Sequence, residues 1–420
     1  MGDNTVLRDR IVQLGLTQTE LAHQINLAIE KLTGRYGTVS ERTIHDLLTK
    51  TRWPHAKQRA ALEAVFDCTI DQLGFTPPAT YHQPSAHPEK PVRRRTFLTS
   101  TTGTAAAVAL PILAAPAVGS SDVMRLRAGL DALTDLDDRR GGHTALEGAA
   151  LAGAAQAVSL QQSRASERVH QRLYSLAADY TAVAAWSCID ARDLERAQQH
   201  LDRATTLAGL SGDSLVQLRV WNFMAMLAHH RQRPADAVAA AHAAGATQVA
   251  RRDPLYASLV HARTAIGHSD RHDRQAALRS LGLAREALGK TTDQPRPSWM
   301  AFYGPAELQA ITAIVRQQLG DSEQAEAASH QALSAIPPQF RRNRALATVR
   351  LAQAQLGQGD ADLACSSAHQ VIDLMAGDPL TGRMRTLLGD FHRNLLTAAP
   401  HTAATLEWTD RARTEWSRQP

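Results

Sequence analysis

The strongest constraint on the fold is a pattern that recurs between residues 122 and 420, where a turn is followed by a helix with small or apolar residues at i, i+4 and i+7. Since these positions share one helical face, a stripe of small side chains there lets a neighbouring helix approach closely. The first residue of each pattern is an alanine, namely Ala197, Ala237, Ala277, Ala325 and Ala364. Successive alanines are about 40 residues apart, except across the insertion 290–299, which contains two prolines.

An apolar helical pattern precedes these helices, for example at 174–189 and 215–230. A helical hairpin repeated at this period predicts an α-solenoid. The turns Gly320-Asp321 and Gly359-Asp360 resemble the G-D-x-x-x-A turn of tetratricopeptide repeats, although the period is longer than the roughly 34 residues usual for that family. A generic helical bundle is the alternative.

Proline density divides the rest of the chain. Residues 77–95 carry five prolines, which no helix or strand accommodates, so they are predicted to form a linker. The flanking segments are an N-terminal helical domain at 1–76, an apolar Ala/Thr-rich connector at 96–121 and the repeats at 122–420. The predicted fold class is therefore all-α, with a small helical domain followed by a solenoid.

Residues 1–76 contain two helix-start signals. Thr17 and Glu20 have the spacing of a capping box, with Glu20 reaching back from the third helical position. Ser40 is placed to cap a second helix, in which the apolar residues face the core and the polar ones face outward. The predicted core residues are Ile44, Leu47 and Leu48, and the predicted outward residues are Glu41, Arg42, His45, Asp46 and Thr49.

The segments Leu14-Gly15-Leu16-Thr17-Gln18-Thr19-Glu20-Leu21-Ala22 and Val39-Ser40-Glu41-Arg42-Thr43-Ile44 resemble the lambda-repressor-like helix-turn-helix family, also called the xenobiotic-response-element family. A subgroup of these regulators in bacteria with high-GC genomes is similar over Arg52 to Phe66 as well. The resemblance implies that the chain binds double-stranded DNA through a third helix in the major groove. It also implies DNA-binding roles for Gln18 on phosphate and for Arg42, Thr43 and His45 at base edges. The predicted DNA-binding set is completed by Ser40 at the helix start and by two basic residues on the flank of the helix, Lys50, where the family often has glycine, and Arg52.

The sequence departs from that family between its second and third helices, which the family joins by roughly four residues. Here the residues from Ile25 to Val39 intervene, and they predict a longer second helix and a turn around Gly34 and Gly37.

The distribution of charge along the chain says more about a nucleic-acid partner than the total net charge does. The whole chain carries a formal net charge of +5, and residues 1–76 are neutral, with nine basic and nine acidic side chains. Residues 31–59, however, contain seven basic and two acidic side chains. A local basic face of this kind is what phosphate binding requires. The alternative is a helical adaptor domain whose charges are simply solvated.

The segment Arg93-Arg94-Arg95-Thr96-Phe97-Leu98, followed by an Ala-rich stretch to Val118, resembles a twin-arginine export signal. Its apolar run of 14 residues contains Pro111 and Pro116 and is shorter than the roughly 20 residues that a spanning helix needs. An interdomain helix is therefore favoured over a membrane-tethered or exported sensor.

The sequence contains no nucleotide-binding loop, metalloprotease motif or nucleophile elbow, so an enzyme is disfavoured and no cofactor, catalytic residue or metal site is predicted. Three widely separated cysteines and an N-terminus without an apolar h-region indicate a cytoplasmic protein. The predicted function is a homodimeric transcriptional regulator whose repeats bind a peptide, protein or small-molecule effector. A helical-repeat protein-interaction scaffold is the alternative from another class.

Overall fold

The computed structural model of the chain describes residues 4–13, 17–33, 36–49, 53–66, 70–76, 118–140, 144–294, 296–376, 378, 380 and 382–417. The chain divides into two compact units, 1–114 and 115–420. Their described parts are helical and contain no strand, which confirms the predicted all-α class. The predicted linker 77–95 and nearly all of the apolar connector 96–121 lie outside the described residues.

Within its described residues the first unit contains four helices and a short 3-10 turn: α1 (Thr5–Gln13), α2 (Gln18–Thr33), α3 (Glu41–Thr49), α4 (Ala56–Phe66) and the turn Ile70–Leu73. Leu7 of α1, Leu21 of α2 and Ile44 of α3 are among the completely buried side chains of its core. The prediction that Ile44, Leu47 and Leu48 face this core is confirmed. The side-chain amide of Asn4 donates to the carbonyl of Leu73 at 2.9 Å, so the residue before α1 is joined to the 3-10 turn.

The second unit is a succession of helical pairs. Its helices are α5 (Ser120–Arg140), α6 (Thr144–Leu160), α7 (Glu167–Ala191), α8 (Leu194–Ser211), α9 (Ser214–His230), α10 (Pro234–Gly245), α11 (Gln248–Arg252), α12 (Pro254–Asp270), α13 (Arg274–Gly289), α14 (Pro305–Gln318), α15 (Ser322–Ala335), α16 (Arg341–Gly357), α17 (Ala361–Leu374), α18 (Gly382–Ala398) and α19 (Ala403–Ser417).

The predicted small-residue stripes lie on α8, α10, α13, α15 and α17, the second helices of successive pairs, and all fifteen stripe residues are buried. The close pairing that this allows is seen between α7 and α8, α9 and α10, α12 and α13, α14 and α15, and α16 and α17. The insertion 290–299 begins after α13 ends and leads into a short 3-10 turn, Ser298–Met300.

The turn within each of these five pairs uses the same backbone conformation. The residue before the helix cap has a positive φ in every case, namely Arg192 (70°), Gln232 (58°), His272 (57°), Gly320 (78°) and Gly359 (88°). A left-handed residue at this point ends one helix and redirects the chain into the next. The sequence predicts a turn at all five sites, but it marks the left-handed residue only where that residue is glycine, because glycine adopts a positive φ without strain.

The first helices of the pairs form a ring. Each contacts the next in the order α7, α9, α12, α14, α16 and α18, and α18 also contacts α7. At this closure Asp190, at the end of α7, forms ion pairs with Arg342 of α16 and Arg383 of α18. Gly382 packs directly against the backbone of Asp190, where a Cβ atom would collide. The second unit is thus a solenoid in which α18 returns to contact α7.

Among the described residues, none of the helices combines the length and apolar character that crossing a bilayer requires. The arginine-flanked segment 93–117 lies outside those residues.

Candidate functional site

The start of α2 is fixed by the predicted capping box. The backbone N–H and the hydroxyl of Thr17 donate to Glu20 Oε2 at 2.8 and 2.9 Å, and the N–H of Glu20 donates to the Thr17 hydroxyl at 3.2 Å. The bond from the Thr17 backbone lowers the pKa of Glu20. Gln18 is the first residue of α2 and half-buried, so it lies in the helical turn where unpaired N–H groups favour phosphate.

The insertion between α2 and α3 extends α2 and is held by side-chain hydrogen bonds. As predicted, it lengthens α2, which runs to Thr33. The buried amide of Asn26 then holds the returning chain, since its Nδ2 donates to the Val39 carbonyl at 2.7 Å and its Oδ1 accepts from the Val39 N–H at 2.8 Å. Gly37 passes so close to Asn26 that a Cβ atom would collide with the amide oxygen. Contacts from α2 therefore position the start of α3, while Gly34, where part of the turn is predicted, lies outside the described residues.

The predicted recognition residues are grouped in the first two turns of α3. Arg42 and His45 are exposed and three positions apart, so they lie on the same face of the helix, opposite Ile44. Ser40 is exposed and caps the helix, because its hydroxyl accepts from the Thr43 N–H at 3.3 Å. The Thr43 hydroxyl lies 3.1 Å from that of Ser40 and within 3.3 Å of its N–H. Thr43 thus uses its hydroxyl within the cap, whereas Arg42 and His45 project to solvent.

The flank of the basic segment is only partly described. Lys50 and Arg52, two predicted DNA-binding residues, lie outside the described residues. Lys57 is exposed on α4. Arg59 stacks over Trp53, 5.2 Å from the ring centroid, and its Nη1 donates to the Pro54 carbonyl at 2.8 Å. Arg59 therefore contributes to the packing of the 53–59 segment as well as to its charge.

In the second unit, charged side chains connect the first helices of the pairs. Asp179 of α7 is buried and accepts from Arg219 of α9 at 3.1 Å and from Arg127 of α5 at 3.3 Å. The Arg219 guanidinium is also buried, 5.6 Å from the ring centroid of Phe223 and 5.2 Å from that of Trp299. Burial lowers the pKa of Arg219, and the charge of Asp179 opposes this effect.

Three further arginines lie on α12, α16 and α18. Arg263 is 6% exposed and donates from Nε to Asn222 Oδ1 at 2.9 Å. Arg350 donates from Nη1 to Gln353 Oε1 at 3.2 Å. Arg383 lies over the ring of Trp186, 5.2 Å from its centroid, in addition to its ion pair with Asp190.

A separate cluster joins α6, α7 and α8. Glu147, Cys188 and His200 place their polar atoms within 4.8 Å of one another. The carboxylate of Glu147 already accepts from Arg196 Nη2 at 2.6 and 2.7 Å and lies 2.8 Å from His200 Nε2. Burial and the neighbouring Glu147 raise the pKa of the Cys188 thiol to about 12. The Glu147 carboxylate is therefore already engaged by Arg196 and His200, and these contacts join α6 to α8.

The second unit also has a groove of about 580 Å³ beside α8, α9 and α10. Trp221 and Met224 supply apolar surface there, while Arg231, Arg233 and Asp236 lie among its polar residues. The volume falls within the range typical of small-molecule sites.

Comparison with protein-family models and with curated proteins gave no match. The function of this chain is therefore inferred from its own residues.

The sequence did not reveal the roles of Asn26 or of the arginines on α12, α16 and α18. Asn26 lies inside the insertion, and its partner is 13 residues away. The ion pairs of Asp190 bridge 152 and 193 residues, a separation that no local pattern encodes.

Proposed function

We propose that this chain is a DNA-binding transcriptional regulator in which the first unit reads DNA and the second binds an effector. The main observation in support is the exposed face of α3, because Arg42 and His45 lie there in the first two turns of a capped helix. Arginine recognises guanine through paired hydrogen bonds, and the N-terminal residues of a recognition helix are those that reach base edges.

The surrounding structure supports this assignment. Gln18 occupies a helix start suited to phosphate, and Lys57 adds an exposed positive charge on α4. The buried clamp of Asn26 on Val39 fixes where α3 begins, and a reading helix needs such rigid support because a small misplacement removes base contacts. Binding as a homodimer would present two such helices to two half-sites.

Binding of the full-length protein to its own promoter region tests the proposal. Arg42→Ala and His45→Ala should each weaken binding about 5- to 150-fold, since a good base contact is worth about 1–3 kcal/mol. Arg413→Ala is the control, because Arg413 is also an exposed arginine but lies on α19 of the second unit. Unchanged affinity in both α3 variants would contradict the assignment of α3.

The salt dependence of the same binding separates DNA recognition from protein docking. DNA affinity should fall steeply as salt rises, because bound phosphates release counterions. A protein-interaction scaffold that docks through apolar surface should show little change. A flat response would therefore favour the scaffold.

A further inference from the structure

Three side chains that can ligate a metal ion converge between α6, α7 and α8. The carboxylate of Glu147, the thiol of Cys188 and the imidazole of His200 place one polar atom each within 4.8 Å of one another. No other group of three such side chains occurs in the part of the chain that the structure describes. Glu147 and His200 are 53 residues apart, so no ligand spacing in the sequence marks this cluster.

The separations in this cluster are close to those of a tetrahedral metal site. With bonds of about 2.0–2.3 Å to oxygen, nitrogen and sulfur, the ligand atoms of such a site lie about 3.3–3.8 Å apart. His200 Nε2 and Glu147 Oε1 are 2.8 Å apart, and Cys188 Sγ lies no more than 4.8 Å from either residue's ligand atom. Changes of about 1 Å in these separations would therefore bring all three atoms onto one ion.

The packing of the helices holds two of the three side chains in place. Glu147 is 4% exposed and Cys188 is 2% exposed. The Cys188 carbonyl accepts from the N–H of Asp193 at 2.9 Å, which fixes Cys188 at the turn from α7 to α8. The side chains of His200 and Arg196 are 16% and 50% exposed, so an ion can enter from their side.

The contact of Arg196 with Glu147 is compatible with a bound ion. Arg196 Nη2 lies 2.7 Å from Oε1 and 2.6 Å from Oε2 of the carboxylate, whereas His200 is placed against Oε1. An ion can therefore take Oε1 while Arg196 stays on Oε2, because carboxylates that ligate metals commonly accept a further hydrogen bond. A thiolate and a carboxylate together balance the two charges of the ion, and Arg196 also has Asp193 as a counter-charge at 3.4 Å.

We propose that Glu147, Cys188 and His200 bind a divalent transition-metal ion, for which Zn²⁺ is the best fit. Thiolate and imidazole ligands favour zinc, whereas Mg²⁺ and Ca²⁺ prefer oxygen ligands alone. On binding, a sulfur–metal bond replaces the S–H bond of Cys188, and the proton passes to solvent. Three protein ligands leave a fourth position for water. The ion would join α6, α7 and α8 beside Asp190, the residue two positions after Cys188 that closes the ring.

The test uses the full-length protein without DNA, so its result is independent of α3. The protein is stripped of metal with a chelator, kept reduced and titrated with Co²⁺ in place of Zn²⁺. Thiolate-bound Co²⁺ shows a sulfur-to-cobalt charge-transfer band in the near ultraviolet, which the chain's 18 histidines cannot produce. We expect this band to saturate at one ion per chain, Zn²⁺ to remove it, and Mg²⁺ to leave it unchanged.

Variants of two buried cysteines separate this site from any other. Cys188→Ala should abolish the charge-transfer band, whereas Cys365→Ala should retain it and is the matched control, since Cys365 is an equally buried free cysteine on α17. Zn²⁺ should raise the unfolding temperature of Cys365→Ala as it does that of the wild type, and should raise that of Cys188→Ala less. Glu147→Gln and His200→Gln should each weaken Co²⁺ binding about tenfold or more, since even residues that only orient a ligand contribute that much.

Three results would overturn the proposal: no charge-transfer band with the wild-type protein, a band that Cys188→Ala retains, or wild-type Co²⁺ affinity in both Glu147→Gln and His200→Gln. The first result needs only the wild-type protein, and circular dichroism of the metal-free variants confirms that they are folded.

Discussion

Replacing Asp179 with asparagine tests how the charged side chains between the ring helices contribute to stability. The change keeps the shape of the side chain but leaves Arg219 buried without its counter-charge. Removing one partner of a buried pair costs about 3–5 kcal/mol, because the remaining charge is desolvated and unpaired. The lost contact to Arg127 adds less than about 1 kcal/mol, since that side chain is 43% exposed and water screens it.

The expected shift in unfolding temperature follows from the size of the second unit. A unit of about 300 residues has an unfolding entropy of about 0.6 kcal/mol/K, so a loss of about 3–5 kcal/mol lowers the midpoint by about 5–8 °C. Circular dichroism on the full chain measures this shift. The double variant Asp179→Leu with Arg219→Met should regain most of the loss, because apolar residues replace a buried ion pair at little cost.

Two outcomes would refute this reasoning. A midpoint for Asp179→Asn within about 1 °C of the wild type would mean that Arg219 does not depend on Asp179. A double variant as unstable as the single one would mean that the hydrogen-bond geometry, and not the unpaired charge, dominates.

Two further perturbations address the turns. Asn26→Ala should leave the N–H and the carbonyl of Val39 buried and unpaired, at a cost of about 1–3 kcal/mol each. Amide hydrogen exchange over residues 36–49 should therefore be faster than in the wild type, and an unchanged exchange rate would contradict the role of Asn26 in holding Val39. Gln232→Gly should raise the unfolding midpoint by about 1–2 °C, because a non-glycine residue in the left-handed conformation costs about 1 kcal/mol. Gln232→Ala should not raise the midpoint, and equal midpoints for the two variants would contradict backbone strain at Gln232.

The parts of the fold that the sequence predicted are those encoded locally. The stripes such as Ala277, Leu281 and Ala284 repeat at helical spacing, and the capping box of Thr17 and Glu20 spans one turn, so neighbouring residues are sufficient to reveal them. The start of α3 at Glu41, directly after Ser40, was predicted for the same reason.

The remaining features depend on contacts between distant residues or on unusual backbone. Closure of the ring joins Asp190 to Arg342 and Arg383, and no sequence pattern relates these positions. The left-handed turns at Arg192 and Gln232 lack glycine, so only the backbone angles reveal that they match the turns at Gly320 and Gly359.

The central claim is that α3 reads DNA sequence. Capture of fragmented genomic DNA by the intact protein tests it most directly, with wild type, the double variant Arg42→Ala with His45→Ala, and the control Arg413→Ala measured in parallel. We expect the wild type and the control to enrich the same short sequence, and the double variant to lose this enrichment. Equal enrichment by the double variant, or no enriched sequence with any of the three proteins, would contradict it.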